Sequence, residues 1–238
     1  MITIRRSEDR GHANHGWLDS YHTFSFADYF DPDYQGFGHL RVINQDRVEP
    51  GKGFQTHGHR DMEIVSYVLD GTLEHKDSMG HGSQMRPGDV QLMSAGTGVT
   101  HSEFNASGTD PLHFLQMWII PRERGTTPRY EQRNFPEAER TGQLRLVVSP
   151  DGEADSVRIG QDARLFAGLL EPDQQVAHSV PNDRAGWLQV ARGRLSINGQ
   201  PLGPGDGAAI HDESKLTITG LESTEFVMWE IPAASVRS

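Results

Sequence analysis

The sequence predicts an all-β protein made of two tandem β-barrels of the jelly-roll type, with few and short helices. Three observations predict this. Apolar runs are short and bounded by turn residues, glycine and proline are over-represented, and the second half of the chain weakly repeats the first. The runs Leu40-Arg-Val-Ile43, Glu63-Ile-Val-Ser-Tyr-Val-Leu69 before Asp70-Gly71, Val90-Gln-Leu-Met93 after Pro87-Gly88-Asp89, and His113 to Ile120 against Pro121 are rich in β-branched and aromatic residues. Short runs of that composition, punctuated by Gly, Asp and Pro, read as strands of a sandwich or barrel. Gly 26 and Pro 13 in 238 residues amount to about 16% against an ordinary ~12%, which implies many tight turns.

The repeat sets the domain organisation. Tyr67-Val-Leu-Asp-Gly71 is matched by Leu188-Gln-Val-Ala-Arg-Gly193, and Arg86-Pro-Gly-Asp89 by Gly203-Pro-Gly-Asp206. A period of roughly 120 residues is too long for a solenoid unit and fits duplication of a whole domain; each half is long enough to own a core. From Pro121 to about Thr141, prolines and arginines replace apolar periodicity, as expected of a connection. The expected division is an N-terminal domain over 1–121, a linker over 122–143, and a C-terminal domain over 144–238. In the last of these, strands resume at Leu144-Arg-Leu-Val-Val148 and end at Glu225-Phe-Val-Met-Trp229.

Composition excludes several function classes. Lys+Arg 22 against Asp+Glu 33 leaves a net charge of −11, which repels a phosphate backbone. Arg122, Arg124 and Arg129 are scattered and make no compensating basic patch, so direct nucleic-acid binding is not expected. With Cys 0, disulfides, thiolate metal sites and cysteine nucleophiles are excluded, and any metal must be held by His and carboxylate. Met1-Ile-Thr-Ile-Arg-Arg-Ser-Glu-Asp9 has no apolar run behind it, unlike a signal peptide. No stretch approaches the ~20 apolar residues of a membrane span. A cytoplasmic location with no membrane partner is the expectation.

Two pairs of side chains carry the chemistry. In Gly51-Lys-Gly-Phe-Gln-Thr-His57-Gly-His59 two imidazoles stand at i and i+2, a spacing that sends both to one face of a strand. Gly96-Thr-Gly-Val-Thr-His101-Ser-Glu103 repeats that spacing with a His and a Glu. On neighbouring strands the two pairs would converge as three nitrogens and one carboxylate oxygen. Such a set suits Fe, Ni, Cu and Zn through its imidazoles, and its single carboxylate keeps it acceptable to Fe(II), Mn or Co. Four protein ligands leave open positions on a five- or six-coordinate ion, the mark of a reactive centre. Glu63, four residues after His59, is a rival carboxylate that stands either as a ligand or as a supporting rim group. His12, His15, His75, His81 and His113 read as ordinary hydrogen-bonded residues. Phe54, Tyr67 and Met117 are apolar candidates for the pocket wall.

Gly-x5-His-x-His-x3-Glu followed by an apolar strand to Gly71 resembles the first cupin motif, and Gly96 to His101 resembles the second. More narrowly, His57-Gly-His59-Arg-Asp-Met-Glu-Ile-Val-Ser-Tyr-Val-Leu-Asp-Gly71 and Ser94-Ala-Gly-Thr-Gly-Val-Thr-His101-Ser-Glu103 resemble the pirin family. Ser20-Tyr-His-Thr-Phe-Ser-Phe-Ala-Asp-Tyr-Phe30, Gly36-Phe-Gly38 and Leu40-Arg-Val-Ile-Asn44 extend the resemblance. It runs from about Trp17 to Pro121, and beyond residue 150 the chain more loosely resembles the C-terminal cupin of the bacterial branch. The resemblance implies a bicupin with one divalent transition metal in the first barrel, held by His57, His59, His101 and Glu103. Fe(II) heads the expected metals, with Mn, Co, Ni, Cu and Zn as alternatives. It also implies quercetin 2,3-dioxygenase-like chemistry: ring opening of a flavonol by O2 with release of CO, and Glu103 as the group that takes the enol proton. The other readings are a pirin-like regulator or redox sensor that binds protein partners, and a non-catalytic small-molecule-binding cupin.

The second half departs from the pattern. Counting back from Gly193 places Ser179 and Pro181 at the His57 and His59 positions, a one-residue shift brings in His178, and counting on from Gly205 places Ile218 and Gly220 at those of His101 and Glu103. His178 and His211 are expected to be polar surface or barrel-mouth residues, and the second barrel is expected to hold no metal.

Overall fold

Antiparallel pairing of these short runs produces the architecture, in a computed structural model that describes residues 1–236. Each half is a sandwich of one seven-stranded and one four-stranded sheet. In the first barrel the large sheet runs, in spatial order, Arg129–Asn134, Asp89–Ser94, Glu63–Asp70, Leu112–Ile119, Leu40–Val48, Leu18–His22 and Gly11–Asn14. Its small sheet runs Gly53–His59, Val99–Asn105, Leu73–Asp77 and Gly82–Met85. The second barrel repeats the plan, with Arg184–Arg192, Thr224–Pro232 and Arg164–Leu170 at the centre of its large sheet and Gln175–His178 beside Leu216–Gly220 in its small one. The all-β, two-cupin expectation is met.

The repeated turns obey the same steric demand in both halves. Gly71 and Gly193 have φ of 84° and 70°, and a Cβ at either would stand 2.7 Å from the Pro111 carbonyl oxygen or 2.1 Å from that of Ser223. Only glycine meets both conditions.

The sheets cut across the division read from the sequence in two places. Ile2–Arg5, placed with the N-terminal domain, pairs antiparallel with Gly207–Ile210 and closes the large sheet of the second barrel. Within the expected linker, Arg129–Asn134 pairs with Asp89–Ser94 as an edge strand of the first barrel. Its polar sequence hides it because an edge strand is held by ladder hydrogen bonds and needs no buried face. The short helix Glu137–Arg140 then buries Arg140, whose guanidinium donates to the Phe135 carbonyl at 2.9 Å and to Glu225 at 2.8 Å.

Between the barrels lies an apolar core that joins Val65, Tyr67, Leu115 and Met117 of the first to Val147, Trp187, Val227 and Trp229 of the second. Tyr67 and Met117 therefore belong to this core and not to the cavity of the first barrel. The Tyr67 hydroxyl donates to Glu225 at 2.6 Å, and the Trp229 indole N–H donates to Met117 Sδ at 3.2 Å. Residues 115 and 117 alternate with Phe114, Gln116 and Trp118, which turn into the first barrel.

Candidate metal centre

The first barrel brings its histidines together through strand register. In the small sheet His101 lies directly opposite His57 and Val99 opposite His59, and the pairing slips between His101 and Glu103, which faces Phe54. A bulge of this kind re-aims side chains where a regular ladder would not. One ring nitrogen from each of His57, His59 and His101 lies within 4.8 Å of the others. A second group of that size unites His75, His101 and Glu103. Glu103 thus reaches the cluster through His101, whereas Glu63 belongs to neither group. Glu63 is turned toward the second barrel, where its Oε2 accepts from Ser94 Oγ at 2.7 Å and from the Gly160 amide at 3.2 Å.

Hydrogen bonding fixes the tautomers. The Gln55 carbonyl, 2.7 Å from His57 Nδ1, can only accept, so the His57 proton sits on Nδ1 and Nε2 is bare. That bare nitrogen faces His101 Nε2 at 3.1 Å. Behind it, Asp77 takes amide hydrogen bonds from Met79 and His81 and stands 3.1 Å from His75 Nε2. Although burial pushes the Asp77 carboxyl up, these bonds hold it below the usual carboxylate range. Asp77 therefore accepts from His75 Nε2–H, which leaves His75 Nδ1 as an acceptor shared by His101 Nδ1 and Gln91 Nε2, each at 3.5 Å. The chain Asp77–His75–His101 presents a second bare nitrogen to the first.

Two bare nitrogens facing each other repel unless a cation lies between them. With metal–nitrogen distances of about 2.1 Å, donors on a shared ion are about 3.0–3.4 Å apart for angles between octahedral and tetrahedral, and the observed separation falls within that span. Burial, reinforced by the neighbouring imidazoles, pushes His101 down to about 2 and His59 down to about 4, so both are neutral imidazoles at neutral pH. Glu103 is fully buried, and desolvation raises it to about 7 against the opposing hydrogen bonds from Gln116 Nε2 at 2.6 Å and Ser66 Oγ at 3.2 Å. An adjacent cation would offset that desolvation and favour the carboxylate. The donor set fits a divalent transition metal.

His57 and His59 open onto a cavity of about 790 Å³, within the range of small-molecule sites. Trp17, Phe26, Phe54 and Trp118 supply aromatic walls, and Trp118 stands edge-on to His59 with centroids 4.9 Å apart. Of the three wall residues expected from the sequence, Phe54 is in place. Gln116 links wall to centre: its Oε1 accepts from the Trp118 indole at 3.1 Å while its Nε2 donates to Glu103.

Sequence reasoning missed the supporting residues. From the sequence alone His75 reads as an ordinary histidine, and Asp77, Gln116, Ser20 and Asp46 stand in no ligand pattern. Strand register places Gln116 in a longer series. His22, Asn44, Gln116, Ser66 and Gln91 are successive partners across five adjacent strands, forming one polar row over the barrel interior. His12 and His15 lie at the cavity, while His81 and His113 make local contacts with Asp77 at 3.1 Å and Gln45 at 3.0 Å.

In the second barrel Val176 pairs with Ile218 and His178 with Leu216. If Ile218 stands for His101, register puts Val176 and His178 at the His57 and His59 positions, rather than the Ser179 and Pro181 reached by counting. His178 is half-buried and bonded to the buried Glu230 at 2.5 Å, so it is not a surface residue. His211 packs against Phe37 with ring centroids 5.2 Å apart.

Comparison with known proteins agrees with this architecture. Residues 3–119 match the family model described as Pirin, and residues 146–231 match that of the quercetinase C-terminal cupin domain. The chain is 49% identical over 232 residues to the quercetin 2,3-dioxygenase of Escherichia coli K12, covering 98% of this chain and 99% of that protein. It is 39% identical to a pirin-like protein of Caulobacter vibrioides, covering 96% and 98% of the two chains. The crystal structure of the bacterial pirin YhhW of E. coli in complex with nickel(II) superimposes with a TM-score of 0.92, at 49% identity over 98% of this chain and 99% of that one. No helix among the described residues is long and apolar enough to cross a membrane. A metal-compatible His cluster in the first barrel, two fused cupin sandwiches and these near-full-length matches lead to one conclusion: the chain belongs to the pirin family, in its bacterial, quercetin 2,3-dioxygenase-like branch.

Proposed function

We propose that this protein is a metal-dependent dioxygenase that opens the heterocyclic ring of a flavonol such as quercetin, acting in the cytoplasm on a small aromatic substrate and O2. The observation that carries the reading is the pair of bare imidazole nitrogens at the wall of an aromatic-lined cavity. The near-full-length relative named quercetin 2,3-dioxygenase supports the substrate class. His57, His59, His101 and Glu103 would hold one divalent ion per chain. Fe(II) is our first choice, and Ni(II) is the leading rival because the solved bacterial pirin was captured with nickel(II).

When bound, the ion supplies Lewis acidity to the enol oxygen of the substrate and a meeting point for the flavonol and O2. The protein supplies the remainder. Trp118, Phe54 and Phe26 orient a flat ring system and exclude water from the cavity. Glu103 takes the enol proton at Oε1, the oxygen whose side-chain donor is Ser66 at 3.2 Å; burial disfavours its charged form, which favours uptake of that proton. Gln116 keeps the other oxygen fixed while this happens. Both atoms of O2 enter the ring-opened ester acid, and one ring carbon leaves as CO, so the reaction balances with no external reductant.

The test is anaerobic loading with Fe(II) or Ni(II), addition of quercetin and then admission of oxygen. Stoichiometric O2 uptake and CO release are expected from the wild type and not from His101→Ala. Metal-replete protein that yields no CO overturns the reading, and partner capture that follows the metal's oxidation state would then favour a regulator.

A further inference from the structure

The cavity lies between the facing sheets of the first barrel, with His57 and His59 on the small sheet and a second polar wall on the large one. Ser20 and Asp46 are direct cross-strand partners there, with His22 and Asn44 as the next pair. All four line the cavity and are buried. Asp46 Oδ1 accepts from Ser20 Oγ at 2.5 Å, and Ser20 Oγ in turn lies 2.9 Å from His22 Nε2. With Asp46 ionised, Ser20 gives its one hydroxyl proton to Asp46, and His22 Nε2–H is then the donor to Ser20. The hydrogen bonds therefore run in one direction, from imidazole to hydroxyl to carboxyl.

Among the described residues, Asp46 takes no side-chain hydrogen bond besides that of Ser20 to Oδ1, and its Oδ2 is open to the cavity with no protein donor. In the same wall His22 Nδ1 and Asn44 Oδ1 are fully buried and have no partner. Unsatisfied buried groups are costly and are rarely kept without a use. Here they are gathered on one face of a cavity that also has aromatic walls. The catalytic scheme above uses none of them.

We propose that Asp46, braced by Ser20 and His22, is the hydrogen-bonding partner of a phenolic hydroxyl remote from the enol, and that it determines which hydroxylated aromatics the site accepts. The proposal rests on the flavonol reading. Aromatic walls accept any flat ring system, whereas a carboxyl oxygen lacking a donor distinguishes a hydroxylated ring from a bare one. A site built around a substrate hydroxyl rejects the analogue without it, because its own buried group is then left unmatched. Asp46 acts here as a specificity-determining residue, and the proton chemistry stays with Glu103.

The experiment compares quercetin with 3-hydroxyflavone, which keeps the enol and lacks the hydroxyls of the outer rings. Dissociation constants are measured without oxygen by fluorescence quenching on metal-loaded protein. The wild type should prefer quercetin by about tenfold or more, and Asp46→Ala should bring the two within about twofold. Asp46→Asn keeps one oxygen on the same branch and should restore part of the preference. Ser20→Ala, which removes a single hydroxyl, should erode it in the same direction and covers the case in which Asp46→Ala does not fold. A preference unchanged in the folded variants, or absent from the wild type, overturns the assignment. Oxygen is then admitted. A preference that depends on Asp46 with no CO released sinks the dioxygenase reading alone, while CO release with a preference indifferent to Asp46 sinks this inference alone.

Discussion

The two barrels share one plan and differ in what crosses their interiors. In the first, the row His22, Asn44, Gln116, Ser66 and Gln91 spans the large sheet. In the second, the row with the same pairing order is Leu146, Phe166, Met228, Leu188 and Ala208. Beside the first row stand His57, His59 and His101, while register places Val176, His178 and Ile218 in the matching part of the second. One copy of the fold is filled with hydrocarbon; the other keeps a hollow lined with hydrogen-bonding groups. A core packed to native density needs no ligand, and a polar hollow leaves desolvated groups that a ligand or ion can satisfy. The second barrel shows what the first could have been had it served stability alone.

Substitutions that move the first barrel toward the second test this contrast. The largest effect is expected from His57→Val with His101→Ile, which copies Val176 and Ile218. Metal content measured by elemental analysis should fall from about one ion per chain to below about a tenth, and CO release should be lost with it. Gln116→Met copies Met228 and leaves Glu103 with Ser66 as its only side-chain donor. Initial O2 uptake at neutral pH should drop by about tenfold, with the metal retained. An undiminished rate would mean that Gln116 does not support Glu103.

The smallest effect is one of pH. Desolvation raises Asp46 from 3.8 to about 7 in the folded protein, against the Ser20 hydrogen bond. A folded-state pKa above the unfolded value means that the folded protein holds the proton more tightly. Stability is then greatest below about pH 4 with respect to this group, declines as pH rises, and levels off above about pH 7. The loss is about 4 kcal/mol at most. Thermal melts of the metal-free protein should therefore shift downward between pH 5 and 8, and Asp46→Asn should flatten that slope. A slope identical in both proteins would show that Asp46 does not titrate as described.

What the sequence revealed followed from periodicity. The spacing of His57 and His59, and of His101 and Glu103, is legible because a strand turns every second side chain to one face. The repeated Gly-terminated strands disclosed the duplication for the same reason. The misplaced residues fail where periodicity carries no phase. Leu112–Ile119 is buried on both faces, so nothing in its sequence tells that Gln116 enters the barrel while Met117 meets Trp229. Counting along the second half failed because loop lengths differ between the copies, and only pairing recovers Val176 and His178 as counterparts. Asp46 and Ser20 were hidden in another way: each is one polar residue in a strand, and their meaning appears only when the strands lie side by side.

The N-terminal strand has a consequence for how the chain matures. Among the described residues Ile2–Arg5 finds its hydrogen-bonding edge at Gly207–Ile210, so this strand waits for a partner that is made much later. Through that interval its backbone amides have only water, and the second sandwich stays open along one side. A pairing this distant in the chain places a long loop closure late in folding. Substitutions in Ile2–Arg5 will therefore act on the second barrel first, although they lie next in the chain to the first.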